Sequence, residues 1–149
     1  MSVTDDPGRS GPPLEPAPAL AAERTVLAGP EWFRFTVIGS AMVISLDRPA
    51  IVGRGPSLPR IVAPGEKPRL VRVPSAIGEI SSSHLEIRQL GMTVIVTDLR
   101  STNGSIVRMP GQPPVTVRAG ESLAVPAGSL IDLGDDMVVE ILPRPHVSA

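Results

Sequence analysis

The sequence predicts an all-β sandwich of about ten to eleven short strands. Runs rich in Val, Ile and Thr recur along the chain at a spacing of roughly 8–12 residues. Turn residues, above all Gly and Pro, separate these runs, and no stretch shows the period of about 3.6 residues that is typical of a helix. Because the chain has only two Phe, one Trp and no Tyr, its core must be built from Val, Ile, Leu and Ala.

The predicted strands follow one another from residue 32 to residue 142. They are the runs 32–38, 41–46, 50–54, 70–73, 85–88, 92–97, 106–107, 115–117, 123–125, 130–133 and 137–142. Gly39 and Ser40 separate the first two runs, which predicts a hairpin. The loop 55–68 is rich in Pro, and Pro cannot donate a ladder hydrogen bond, so this loop should interrupt the sheet.

Composition divides the chain into three parts. Residues 1–30 hold six Pro together with Gly, Ser and Ala. Such a segment cannot bury enough apolar surface to offset the entropy lost on ordering, so we expect a disordered tail. Residues 31–143 should form the folded domain, and residues 144–149 a short C-terminal tail.

The bulk numbers exclude several classes of function. The net charge of −1 gives the 149-residue chain no overall attraction to nucleic acid or to a membrane surface. The absence of Cys and the presence of only two His exclude disulfides and ordinary metal sites, and no cofactor is expected. No apolar run approaches the roughly 18 residues of a membrane span, and the acidic N-terminus is unlike a signal peptide. We therefore expect a cytoplasmic protein, and 13 Arg against one Lys indicates a bacterial source.

A polar loop after the run 92–97 is the first candidate site. It contains Ser101, Thr102, Asn103 and Gly104. Asn and Gly both tolerate positive φ, so the pair predicts a tight turn that holds the neighbouring side-chain donors outward. Such a turn suits an anion. The alternative is a solvated hairpin turn without a ligand.

Two further segments precede this loop, each at the end of a predicted strand. Gly53-Arg54 comes first and Ser81-x-x-His84 second, and the loop 101–104 then follows Asp98. With these three segments in this order inside an all-β pattern, the chain resembles the forkhead-associated (FHA) domain over roughly residues 32–142. The resemblance implies a phosphothreonine-binding β-sandwich that serves as a non-catalytic signalling adaptor.

The resemblance also implies which residues bind the ligand. The family has its phosphate contacts at the positions of Arg54, Ser81 and Thr102, and a contact to the backbone of the bound peptide at Asn103. A guanidinium offers a planar fork of donors that suits phosphate, and hydroxyl groups add further donors. The implied partner is a phosphothreonine-containing protein, such as a Ser/Thr kinase or its substrate.

Three more residues have implied structural roles. Gly53 and Gly104 would be turn residues. His84 would be a packed histidine that hydrogen-bonds within the loop framework, and the ordinary expectation for a lone histidine in a sandwich is the same.

The chain departs from the family in two places. The family usually has Arg or Asn directly after the Ser of Ser-x-x-His, and this chain has Ser82, a shorter and weaker donor that should still face the peptide. The segment before that motif is also longer than usual. It carries Arg60, Lys67 and Arg69, a basic periphery that we expect to recognise acidic residues beside the phosphothreonine.

Three alternatives stay open. Ser81, His84 and Asp98 have the residue types of a nucleophile, a base and an orienting acid, although no nucleophile-elbow motif or phosphate-cradling glycine loop accompanies them. A module of the same fold that no longer recognises phosphate is the second, because fold does not fix function. In the third, a phosphorylated Thr25, or Thr4, folds back into the domain's own site.

Overall fold

The computed structural model describes residues 31–62 and 67–145, which form two β-sheets and no helix. The strands are β1 (Arg34–Val37), β2 (Val43–Ser45), β3 (Ala50–Gly53), β4 (Arg69–Arg72), β5 (Leu85–Leu90), β6 (Thr93–Asp98), β7 (Ser105–Arg108), β8 (Val115–Val117), β9 (Ser122–Val125), β10 (Leu130–Gly134) and β11 (Met137–Leu142). Each strand overlaps one predicted run, and the predicted all-β sandwich is confirmed. The predicted tail at 1–30, with Thr4 and Thr25, and residues 146–149 lie outside the described residues. Within the described part of the chain, no helix has the length and apolar character needed to span a membrane.

The strands are shared between a six-stranded and a five-stranded sheet. The first has the order β2-β1-β11-β10-β7-β8 and the second the order β4-β3-β5-β6-β9. β1 pairs with β2 in antiparallel fashion across the turn at Gly39 and Ser40, so the predicted hairpin is confirmed. β3 and β4 instead run parallel. A parallel pair needs a long connection, and the Pro-rich loop between these strands provides it.

Alternating burial shows which faces of the strands meet. In β1, Phe35 and Val37 are buried while their neighbours are half-buried, as expected for a strand with one face on a core. β3 is buried at all four residues. The core between the sheets is aliphatic apart from Phe35, and its largest members include Leu46, Ile80, Leu85, Ile87, Ile131, Leu133 and Ile141.

The topology brings three strand ends together at one end of the second sheet. β3 is antiparallel to β5, with Val52 opposite Leu85, so the end of β3 lies beside the residues that precede β5. β5 is antiparallel to β6, with Leu85 opposite Asp98. The residues after β3, before β5 and after β6 therefore meet at the same end of the sheet, although they are distant in sequence. We call this group of loops the loop rim and define it as residues 54–55, 79–84 and 99–104.

The loop after β6 corrects one prediction. β6 belongs to the second sheet and β7 to the first, so residues 99–104 cross between the sheets. Gly104 has a positive φ of 75°, but the other left-handed residue of the loop is Arg100, at 57°, and not Asn103. The predicted Asn-Gly turn is wrong, because a two-residue turn joins paired strands and this loop has to span two sheets.

Candidate functional site

Gly53 lets the chain after β3 lie directly against residues 79–84, which we call the serine loop. A Cβ atom at this position would lie 2.0 Å from the carbonyl oxygen of Ser82, closer than any side-chain carbon can approach. The absence of a side chain permits two backbone hydrogen bonds. The Arg54 N–H donates to the Ser81 carbonyl at 3.0 Å, and the Gly55 N–H donates to the Ser82 carbonyl at 3.1 Å. Gly53 is therefore required for a close backbone approach and does not adopt a left-handed turn conformation.

The Arg54 side chain is held at its Nε atom. This atom donates to the carbonyl of Ile80 at 3.0 Å. The bond holds the guanidinium beside Ile80, the residue that precedes Ser81. The side chain is exposed, and within residues 31–62 and 67–145 no protein acceptor engages its two Nη atoms. A fixed guanidinium with two free donors suits a multiply charged oxyanion.

His84 joins two loops of the rim. Its buried ring accepts a hydrogen bond at Nδ1 from the Ser81 N–H at 3.0 Å. The Nε2 atom lies 2.9 Å from the carbonyl oxygen of Gly104. Because Nδ1 accepts, Nε2 must carry the proton and donate it to that carbonyl. The ring thus fixes the spacing between the Ser81 loop and the loop 99–104.

The hydrogen bonds of His84 also argue against a catalytic set made of Ser81, His84 and Asp98. Both ring nitrogens of His84 are engaged by backbone groups, so neither can take a proton from the Ser81 hydroxyl. The Asp98 carboxylate lies 4.0 Å from the Nε2 atom and instead accepts hydrogen bonds from Ser101 and Ser105. The three residues do not form the relay that a nucleophile needs. The described residues also contain no cluster of His, Asp and Glu that could hold a metal ion.

Asp98 is the buried anchor of the loop 99–104. Its carboxylate accepts from the Ser101 N–H at 2.9 Å and from the Ser101 hydroxyl at 2.6 Å. The Ser101 oxygen in turn accepts from the Gly104 N–H at 2.9 Å. Ser101 therefore points inward, and the prediction that its donor faces outward is wrong, because the buried carboxylate needs a partner. The spacing Asp98-x-x-Ser101 permits such a local bond, but it does not indicate that the carboxylate is buried.

Thr102 and Asn103 occupy the exposed tip of this loop. The Thr102 N–H donates to the Ser81 hydroxyl oxygen at 3.0 Å, which leaves the hydroxyl proton of Ser81 free to donate elsewhere. The Thr102 side chain is exposed and has no hydrogen-bond partner among the described residues. One amide proton of Asn103 goes to the carbonyl of Glu79 at 3.0 Å, so part of its hydrogen-bonding capacity holds the rim together.

A second network supports the serine loop from behind. The carboxylate of Asp135, in the turn between β10 and β11, accepts hydrogen bonds from the Ser75 hydroxyl, the Ile77 N–H and the Glu79 N–H. The Asp135 N–H donates back to the Glu79 carboxylate at 2.6 Å. The Glu79 carbonyl also receives the bond from Asn103, so this one residue connects the turn between β10 and β11 to the loop 99–104.

We expect the Asp135 network to make the domain sensitive to acid. The hydrogen bond from the Ser75 hydroxyl, followed by those from backbone N–H groups, holds the pKa of Asp135 below its ordinary value of 3.8. A lowered pKa in the folded state adds stability that is complete above pH 3.8 and is lost as the pH falls through the folded value. Asp135→Asn should lower stability at neutral pH and flatten the acid limb of a plot of unfolding free energy against pH. Asn tolerates the left-handed backbone at this position.

The control for that experiment is Asp136→Asn. Asp136 is the next residue, is exposed and also has a positive φ. Urea titrations from pH 2 to pH 7 should show a normal acid limb for Asp136→Asn and a flattened one for Asp135→Asn. Equal acid limbs in the two variants would contradict the role of Asp135.

The three residues of the basic periphery differ in their position and in their charge partners. Arg60 is exposed, and Lys67 and Arg69 line a groove on the side of the sandwich. Arg69 donates to the carboxylate of Asp47 at 2.8 Å, and this bond is the main cause that holds the pKa of Asp47 below its ordinary value. The charge of Arg69 is thus partly balanced within the protein.

Together, the sandwich and its rim define a recognition module in which loops on a rigid scaffold present donors to a ligand. The sequence profile of the FHA domain matches residues 51–134, more than half of the 149 residues. The chain therefore belongs to the FHA domain family. Members of this family are generally non-catalytic modules that bind phosphopeptides in signalling.

Solved structures agree with this assignment. The FHA domain of FhaA, complexed with the intracellular domain of Rv3910, is 26% identical, with a TM-score of 0.52 over 73% of this chain and 98% of that chain. A second FHA domain, from work on phosphothreonine-dependent FHA interactions, is also 26% identical, with a TM-score of 0.53 over 77% and 99%. The FHA domain of an Arabidopsis thaliana hypothetical protein is 20% identical and shares the fold, with a TM-score of 0.55 over 80% and 91%. No curated protein sequence matches this chain.

Proposed function

We propose that this chain is a phosphothreonine-dependent protein-binding module and works as a non-catalytic signalling adaptor. The observation that carries the proposal is the convergence of the Arg54 side chain with the Ser81 and Thr102 loops at one rim. A domain with 26% identity takes part in interactions described as phosphothreonine-dependent, which supports the same chemistry here.

The rim matches the chemical needs of a phosphothreonine. That group carries about −1.5 to −2 charges at neutral pH and three strong acceptor oxygens. In the proposed complex the free Nη atoms of Arg54 take two oxygens, and the Ser81 and Thr102 hydroxyls donate to the remaining lone pairs. Three or four such charge-assisted bonds, less the cost of ordering a peptide, are compatible with micromolar affinity, about −8 kcal/mol.

The peptide backbone is assigned to Asn103. One amide proton is already engaged by Glu79, so the carbonyl oxygen and the second amide proton remain for the ligand. Ser82 is an exposed residue of the loop rim and supplies the second peptide contact. Arg60, Lys67 and Arg69 form the proposed basic periphery, which would favour acidic residues near the phosphothreonine.

Ser82 offers a test of how tightly the peptide backbone is held. We expect Ser82→Asn to tighten binding of a phosphothreonine peptide by about three- to tenfold, because a longer amide adds one hydrogen bond worth about 0.5–1.5 kcal/mol. Isothermal titration calorimetry with one phosphothreonine peptide should compare the Kd of Ser82→Asn with that of Ser83→Asn. Ser83 is half-buried, and its hydroxyl oxygen accepts from the Ser57 N–H. An equal effect of both substitutions would contradict a specific role for Ser82.

The proposal itself is tested with a degenerate phosphothreonine peptide library. The wild-type chain should retain phosphothreonine peptides and should bind the same sequences with unmodified Thr at least about 100-fold more weakly. A selected acidic flank should disappear in the Arg60/Lys67/Arg69 triple alanine variant if the basic periphery recognises it. Equal binding of phosphorylated and unmodified peptides would favour an interaction module that does not recognise phosphate.

We also propose a setting for this module. An excess of Arg over Lys and abundant Ala, Gly and Pro support a bacterial source. A cytoplasmic location would place the domain where a Ser/Thr kinase has ATP to modify its partner. The partner is then that kinase or one of its substrates.

A further inference from the structure

A groove on the side of the sandwich lies between the end strands of the two sheets. β2 ends the first sheet and β4 ends the second, and residues of both strands line a cavity of about 850 Å³. We call it the edge groove. The described residues that line it include Val43, Arg48, Lys67, Arg69, Leu70 and Arg72.

Among residues 31–62 and 67–145, no strand pairs with the outer side of β4, which therefore carries backbone groups without a strand partner there. Arg69 donates its N–H to the Pro49 carbonyl and Val73 donates to the Gly53 carbonyl, both toward β3. Because these groups alternate along a strand, the N–H and C=O groups of Leu70 and Arg72 face the opposite way, into the edge groove. An uncovered row of this kind is a template for an added strand.

The side chains of the edge groove are both apolar and basic. Val43 is 53% exposed and Leu70 is 44% exposed, and both are aliphatic residues on edge strands. Four cations line the groove, and among the described residues the one carboxylate paired with them is that of Asp47, bonded to Arg69. The surface therefore matches an extended segment with alternating acidic and aliphatic residues.

The edge groove is continuous with the loop rim. β4 runs parallel to β3, so its C-terminal end lies where β3 leads into Arg54. The guanidinium of Arg72 lies 3.7 Å from the position that a Cβ atom on Gly55 would occupy. A peptide anchored at the rim can thus pass Arg72 and enter the edge groove without leaving the protein surface.

We propose that the edge groove binds a second, extended acidic segment of the same phosphoprotein, which adds a strand to β4 at Leu70 and Arg72. This inference rests on the proposed function of the loop rim. Four residues of β4 span about 13 Å, which is enough for a matching strand of four or five residues. The phosphothreonine supplies the anchor, and the tethered segment then binds at a high effective concentration.

The experiment compares phosphothreonine peptides of two lengths. The short peptide has nine residues with a central phosphothreonine in the flanking sequence that the library selects. The long peptides add a flexible Gly-Ser spacer and five residues of alternating Glu and Val, on the N-terminal side in one and on the C-terminal side in the other. A third type replaces each Val of the extension by Gly, which keeps the charge and removes the strand preference.

One long peptide should bind about tenfold more tightly than the short one, and the Glu-Gly version should lose most of this gain. Leu70→Glu should remove the gain and leave the Kd of the short peptide within twofold, because the new carboxylate repels the extension. The matched control is Val115→Glu, which changes a similarly exposed aliphatic residue on β8, the edge strand at the far side of the first sheet. Amide NMR shifts of Leu70 and Arg72 should respond to the long peptide alone.

The outcomes separate the two proposals. If the short peptide binds no better than its unphosphorylated form, the function proposed for the loop rim fails. If the short peptide binds but neither extension adds affinity, or the Glu-Gly version adds as much, strand addition at the edge groove is overturned. A chain that sediments as a dimer, with Leu70→Glu a monomer, would also overturn it, since a second copy would then occupy the groove.

Discussion

Replacement of Arg54 by Ala is expected to weaken binding of a phosphothreonine peptide about 100-fold. The two Nη atoms of Arg54 have no acceptor in the part of the chain that the structure describes, and they would make two charge-assisted bonds to the phosphate, each worth about 1.5–3 kcal/mol. A loss of about 3 kcal/mol corresponds to roughly 100-fold in Kd. The fold should tolerate the change, because the side chain is exposed and its removal breaks one side-chain hydrogen bond, to Ile80. Titration calorimetry and urea denaturation of the same samples measure both effects.

Two comparisons make the Arg54 result specific. Arg54→Lys keeps the charge but loses the planar fork, so it should recover only part of the affinity. Arg108→Ala removes one exposed positive charge from β7 and should change the Kd less than twofold. Arg108 has a long, weak ion pair with Asp132, at 3.9 Å. If Arg54→Ala loses no more affinity than Arg108→Ala, the phosphate does not bind at Arg54.

The strands could be predicted from the sequence because their signals are local. β-branched residues, alternation and Gly or Pro at turns identified all eleven strands found in the described residues, since each signal lies within a few residues of the strand it marks. The parallel pairing of β3 with β4 had no such signal. Pairing direction depends on where a long loop returns the chain, and a Pro-rich loop does not encode that.

The site could be predicted in part, and for a similar reason. The sequence predicts Arg54, Ser81 and Thr102 because they stand in short motifs at strand ends, and the structure brings their loops together. The supporting groups were missed. Asp135 contacts Glu79 across 56 residues. Ser101 is only three residues from Asp98, but it turns inward because that carboxylate is buried, and burial is set by the whole fold. Contacts between distant residues depend on the folded topology, which no local pattern contains.

The second large effect is expected at Gly53, where Gly53→Ala should destabilise the domain by about 3 kcal/mol or more. The new methyl group would lie 2.0 Å from the Ser82 carbonyl oxygen and 2.9 Å from that of Ser81. Both atoms belong to backbone, so relief requires the serine loop to move away from β3, and overpacking of this kind typically costs about 1–3 kcal/mol and sometimes more. The same movement would break the bonds from Arg54 and Gly55 to this loop, so phosphopeptide binding should be lost together with stability.

Gly55→Ala is the matched control, since it makes the same chemical change two residues away. Among the described residues, a Cβ atom on Gly55 would meet only the Arg72 guanidinium, at an ordinary contact distance of 3.7 Å. Its unfolding free energy in urea should stay within about 0.5 kcal/mol of wild type. Equal stability of the two variants would mean that the serine loop can move away from β3 at little cost. The phosphate donors would then not be held in place before the ligand arrives, and the affinity expected from a rigid rim could not be reached.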